Sequence, residues 1–112
     1  MTAPALNPWT LDAQWPVFAG HFPARPVLPG ALLLDWVVDA IQQQQSCAIT
    51  GVTQVKFQRA AEPGDQLRLS LRCDGARARF EVIALRGSAE HPVASGIALM
   101  TYTSASAHQA TP

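Results

Sequence analysis

From Gly30 to Gln45 the chain reads GALLLDWVVDAIQQQQ, apolar as far as Ile41 and then abruptly polar. Sixteen residues exceed an ordinary strand, so the run predicts a helix, with Pro29 suited to its first turn and Gly30 permitting close approach. Ala31, Leu32, Leu33, Leu34, Trp36, Val37, Val38, Ala40 and Ile41 cover nearly every face of that helix. A soluble protein is expected to enclose such a helix on most sides, leaving only the Gln42 to Gln45 end solvated. Asp35 then stands inside the apolar run, and Leu33, Leu34, Trp36 and Val37 beside it predict dry surroundings for its carboxyl group.

Beyond the helix the apolar period changes to two. In QLRLSLRC, Leu67, Leu69, Leu71 and Cys73 alternate with Arg68, Ser70 and Arg72, which predicts a strand with one wet face. Val55 and Phe57 alternate with Lys56 and Gln58 before it, and RARFEVIAL (77–85) and PVASGIALMTY (92–102) follow it, giving four strands. EPGD (62–65), DGA (74–76) and RGSAEHP (86–92) are short connections of turn composition, so neighbouring strands are expected to be antiparallel. A fifth short strand is expected around AQWPVFA (13–19), with Pro16 confining it to an edge or a bulge. Residues 1–12, with Pro4 and Pro8 and no clear period, and residues 104–112 are expected to be loose ends. One all-round apolar helix and an antiparallel sheet with one apolar face predict an α+β domain of the hot-dog kind, the sheet curled around the central helix. Periodicity leaves open a helix lying flat on a sheet in another α+β order.

Composition narrows the setting. The 112 residues make one domain, and hydrophobic residues at 48% against charged residues at 14% form a surface poor in charge, which predicts a dimer or larger assembly. The formal net charge is zero, so no global field draws nucleic acid or an anionic membrane. Cys47 and Cys73 lack metal-ligand spacing and are expected to be small core residues. The first residues lack the pattern of a secretion signal and no apolar run reaches membrane-spanning length, so the expected compartment is the cytoplasm.

The stretch ahead of the helix carries the candidate chemistry. FAGHFPARPVLPGALLLDW (18–36) resembles the active-site segment of the 3-hydroxyacyl-[acyl-carrier-protein] dehydratases of the FabA/FabZ type. Their pattern runs GHFP, a spacer, P-[VI]-x-P-G, then an acid five residues after that glycine. His21, Pro26, Val27, Pro29, Gly30 and Asp35 fall in register with it, and VKFQRAAEPGDQLRL (55–69) is similar to the family's later strand-turn-strand. Two departures stand out: the short segment ahead of GHFP implies a more open tunnel entry, and Ala31 stands where FabA-like members often have cysteine, so their isomerase activity is not carried over.

The resemblance implies dehydration of 3-hydroxyacyl thioesters to trans-2-enoyl thioesters in fatty acid, polyketide or aryl polyene type biosynthesis. It implies no metal and no bound cofactor, the substrate riding on the phosphopantetheine arm of an acyl carrier protein. His21 is the expected base, because imidazole titrates near neutrality. Asp35 is the expected proton donor, if its carboxyl is protonated or holds a polarised water. The N–H groups of Gly30 and Ala31, at the positive end of the helix, are expected to meet the thioester carbonyl, and Phe22 to line the substrate site. Pro23, Pro26 and Pro29 hold the His21 segment stiff. In the family the histidine and the acid facing it come from different subunits, which implies a homodimer, or a heterodimer with a paralogue. Arg25, Arg59 and Arg68 are candidate contacts for the carrier. Acyl-thioester hydrolysis, and a non-catalytic subunit that binds acyl chains or pairs with an active paralogue, are the alternatives. Asp39, Asp65 and the three tryptophans read as structural, Asp65 bonding its own turn.

Overall fold

The computed structural model describes residues 2–12, 14 and 28–102. Five strands and one helix follow in the order β1 (Thr2–Thr10), α1 (Gly30–Gln45), β2 (Ala48–Phe57), β3 (Gln66–Asp74), β4 (Arg77–Arg86) and β5 (Ala89–Thr101). All pair antiparallel in one sheet of order β1-β3-β4-β5-β2, with the helix on its apolar face. This is the hot-dog arrangement.

The alternation seen in the sequence builds the inner face. Leu67, Leu69 and Leu71 stand opposite Ala84, Val82 and Phe80, and Val82 and Phe80 stand opposite Ala94 and Gly96. All but the glycine belong to one core cluster, which Leu33, Val37, Ala40 and Ile41 of the helix complete. Large faces small at its centre: a methyl group on Gly96 would lie 2.8 Å from Cζ of Phe80. The turns close as their composition predicts, with Gly75 at φ 60° between β3 and β4 and Gly87 at φ 64° between β4 and β5.

Two expectations need correction. Residues 1–12 were expected to be loose, yet Thr2–Thr10 is an edge strand on β3, and it is the fifth strand of the sheet. Pro4 and Pro8 are tolerated because an edge strand has a side with no ladder to serve, and the pairing with β3 shifts register twice along its length. The stretch 13–19, where a fifth strand was expected, lies outside the described residues apart from Gln14. Second, within one chain the helix is not enclosed on most sides. Leu33, Val37, Ala40 and Ile41 form one buried stripe, Ala31, Asp35 and Asp39 an exposed one, and Leu32, Leu34, Trp36 and Val38 are half-buried between them. Trp9 of β1 covers part of that flank, its ring centroid 5.3 Å from that of Trp36.

Candidate functional site

The helix begins without a side-chain cap. Pro29, at φ −61° and ψ 139°, occupies the cap position, and its carbonyl accepts from the N–H groups of Leu32 and Leu33, each at 3.1 Å. Helix geometry leaves the N–H groups of Gly30 and Ala31 with no intrahelical acceptor, at the end where the dipole is positive. The Leu28 N–H donates to the carbonyl of Ala61 at 2.8 Å and ties this helix start to the β2–β3 connection.

A cleft of about 460 Å³ opens there, lined by Leu28, Gly30, Leu33, Phe57, Ala61 and Val93 among others. Its walls are largely apolar, apart from Gln58 and Arg59. Phe57 is 56% exposed, and its ring lies against Gly30 so closely that a methyl group there would sit 3.0 Å from Cζ. An alanine at position 30 would need that exposed ring to give way, and the ring stands beside the amide end of the helix.

Asp35 follows Gly30 by five residues, about 7.5 Å of helix rise. It shares the exposed stripe with Ala31 and Asp39, and its side chain is exposed within one chain. The expected dry surroundings are thus not supplied by its sequence neighbours, because residues one and two positions away on a helix project to other faces. Of the residues one turn away, Ala31 is small and Asp39 polar and both are exposed, while apolar Leu32 and Val38 lie half-buried to either side of the stripe. Asp39 accepts a hydrogen bond from Nε2 of Gln43 at 3.0 Å, in keeping with a structural role. His21, Phe22 and Arg25 lie outside the described residues. Gly30, Ala31 and Asp35 are brought to the first turns of one helix, Gly30 facing the cleft and the other two the open stripe.

The two described candidate carrier contacts are already engaged. Arg68 pairs with Glu90 at 2.9 Å, and Nη1 of Arg59 lies 2.7 Å from Nδ1 of His91.

Asp65, read as a plain turn residue, is more. It is 1% exposed, accepts from the Glu62 N–H at 2.9 Å, and is gripped by Nε and Nη2 of Arg86, both at 2.8 Å. Burial pushes its carboxyl up, but the Arg86 fork, the Glu62 amide and nearby positive charge outweigh this and hold it below the usual range. Its carbonyl accepts from the Leu11 N–H at 2.8 Å, so the clasp anchors the end of β1 beside the starts of β3. The turn was legible in PGD; Arg86, 21 residues away, carried no local signal.

No group of three histidine, cysteine, aspartate or glutamate side chains that could hold a metal ion occurs among the described residues. Among them, too, no helix is long and apolar enough to cross a membrane.

Comparison with known proteins agrees with this geometry. The ApeI-like family, described as ApeI dehydratase, matches residues 5–97. A 3-hydroxyacyl-[acyl-carrier-protein] dehydratase FabZ from an Acidovorax species is 36% identical over 87 residues, covering 64% of this chain and 60% of that protein. The chain thus spans about six tenths of the length of that relative. Among solved structures, an uncharacterised Erwinia carotovora protein superposes with a TM-score of 0.73 at 26% identity, covering 91% of this chain and 93% of the other. The dehydratase heterocomplex ApeI:P from Xenorhabdus doucetiae gives a TM-score of 0.68 at 27% identity, covering 83% and 82%.

Proposed function

The chain belongs to the ApeI-like dehydratase family, and from that premise we propose that it dehydrates 3-hydroxyacyl thioesters carried by an acyl carrier protein. The observation that carries the reading is the first turn of α1: the Gly30 and Ala31 amides have no acceptor within the helix, Gly30 lines an apolar cleft, and Asp35 follows Gly30 by five residues.

His21 takes the proton from C2, and its electron pair forms the new double bond to C3. The C3–O bond breaks, and Asp35 protonates the departing oxygen so that it leaves as water. The amides at the helix start stabilise negative charge on the thioester carbonyl. Phe22 lines the acyl site. The substrate's thiol belongs to a phosphopantetheine arm, and the chemistry asks for no metal or cofactor.

Asp35 must be drier than it is in one chain. A second subunit set against the Ala31–Asp35–Asp39 stripe and the half-buried Leu34 and Val38 would supply that cover, and would bring a histidine from the other protomer to face the acid. The second subunit is another copy of this chain or a paralogue; the heterocomplex relative from Xenorhabdus doucetiae supports the latter. The proposed setting is the cytoplasm.

The test is to incubate the protein, alone and co-purified with a paralogue, with a 3-hydroxyacyl carrier protein and to follow the carrier by mass spectrometry. Loss of water is the expected result. Asp35→Asn and His21→Ala each lower the rate by at least about 100-fold while circular dichroism and light scattering stay unchanged. Release of free acid, or full turnover by Asp35→Asn, would refute the assignment.

A further inference from the structure

On the side of the sheet turned away from the helix, two neighbouring rows of side chains run across the strands. One holds Ser70, Glu81, Ser95 and Lys56, and the next holds Arg72, Arg79 and Ile97, each residue the register partner of the one before it. Arg72 and Arg79 thus stand directly opposite each other on β3 and β4. Like charges so placed oppose strand pairing. Arg68 and Arg86, by contrast, are paired with acids, Arg68 with Glu90 and Arg86 with Asp65 and Glu62, while Arg77 stands opposite Asp74 in the register without an ion pair to it. Arg72, Arg77, Arg79 and Lys56 are all exposed, and among the described residues none makes a hydrogen bond or ion pair. They are half of the eight lysines and arginines in a chain of zero net charge.

The arginines also border concave surface, which a bare sheet face rarely offers. A groove of about 430 Å³ runs between Lys56, Ser70, Arg72, Arg79, Glu81 and Ser95. A smaller cleft of about 290 Å³ lies among Arg72, Asp74, Arg77 and Arg79. Ile97 floors both and is 3% exposed although it lies on this outer face and outside the core cluster. The backbone kinks at Gln54, which has φ 55° where the β2–β5 register shifts, and this residue closes one end of the groove.

We infer that this outer-face groove is a binding site for a phosphoryl group, free or as an ester, gripped between Arg72 and Arg79. Two guanidinium forks side by side, with a third at Arg77, match an anion with three or more acceptor oxygens better than they match a carboxylate. Lys56, Ser70, Ser95 and Gln54 supply hydrogen bonds further along. Glu81 lies in the same row and repels a second anionic group there, so the remainder of an ester held in the groove is neutral and polar. The site is separated from the helix face by the thickness of the sheet, so it stands independently of the proposed dehydration.

The test titrates the whole chain with inorganic phosphate and, in a second arm, with glycerol 3-phosphate, at ionic strength held constant with chloride. Binding is read by calorimetry and by backbone amide shifts on β3 and β4. Saturable binding, weakened by about tenfold or more in both Arg72→Gln and Arg79→Gln, is expected, while Arg68→Gln on the same face stays within about twofold. Tighter binding of glycerol 3-phosphate identifies an ester site, and equal binding a site for the free anion; both support the phosphoryl assignment. No binding beyond the chloride control, or binding that survives both arginine substitutions, overturns it.

Discussion

Replacing Asp65 by asparagine tests the clasp that ties the β2–β3 turn to the end of β4. The carboxylate accepts two hydrogen bonds from Arg86 and one from the Glu62 N–H. Asparagine keeps the shape and one acceptor oxygen, but sets an NH₂ group against a guanidinium donor and removes the charge. Two hydrogen bonds to a charged group are worth about 3–6 kcal/mol if their loss is uncompensated. The Arg86 side chain is 37% exposed, however, and water recovers much of what the guanidinium loses. The net cost is therefore roughly 2 kcal/mol, or a fall in Tm on the order of 10 °C. Urea denaturation followed by circular dichroism measures it. The pH dependence gives a second reading. The folded carboxyl titrates below its ordinary value, so its contribution is complete above the unfolded pKa of about 3.9 and is lost as pH falls through the folded value. The gap between the native protein and Asp65→Asn stays constant near neutrality and closes in acid. A gap under about 0.5 kcal/mol at pH 7, or one that persists in acid after the carboxylate is protonated, would refute the reasoning.

Three further outcomes follow from the packing. Gly96→Ala places its methyl group 2.8 Å from Cζ of buried Phe80 and 3.2 Å from Cγ2 of Val55, so it destabilises by about 1–3 kcal/mol, and combining it with Phe80→Leu costs less than the sum of the two single changes in urea melts. Gly30→Ala meets an exposed ring that is free to swing, so stability stays within about 0.5 kcal/mol, while thioester turnover falls on the order of tenfold as Phe57 is displaced at the cleft; unchanged turnover would show that the ring does not matter there. Burial, with Cys73 nearby, pushes the Cys47 thiol up, so iodoacetamide at pH 8 labels Cys47 about tenfold or more slowly in the folded chain than in urea; equal rates would contradict its burial.

How far the sequence reveals this fold depends on what each element answers to. β3 and β4 are legible almost to the residue: QLRLSLRC and RARFEVIAL alternate cleanly because one face lies on the core and the other in water. The helix is legible from its length and from the proline before it. β1 is not, because nothing in TAPALNPWT is periodic. Its strand form comes from the open edge of β3 rather than from its own residues, a tertiary pairing that overrides local propensity. Only the Val55–Phe57 end of β2 was legible, since β2 is the other edge and bulges at Gln54. The facing pair Arg72 and Arg79 is illegible for the opposite reason: period two assigns both to the wet face but is silent on which strand pairs with which, and register alone sets them side by side.

Asp35 shows where such reading fails and why the failure is informative. Counting apolar neighbours along the sequence predicts a dry carboxyl, but a helix turns 100° per residue, so Leu34 and Trp36 flank Asp35 without covering it. What a single chain leaves open is an exposed stripe of Ala31, Asp35 and Asp39 bordered by half-buried Leu34 and Val38. The helix is more apolar than its one buried stripe requires, and the surplus sits on either side of the acid. In a chain with 14% charged residues, that surplus is best accounted for by a surface contributed from outside the chain, the same surface that would take water from Asp35 and let it act as an acid. On the proposed assembly, substituting Val38 by lysine breaks subunit contact and turnover together while leaving the Leu33–Val37–Ile41 stripe and the fold of one chain in place. Light scattering that still shows the native assembly in that variant would place the partner elsewhere.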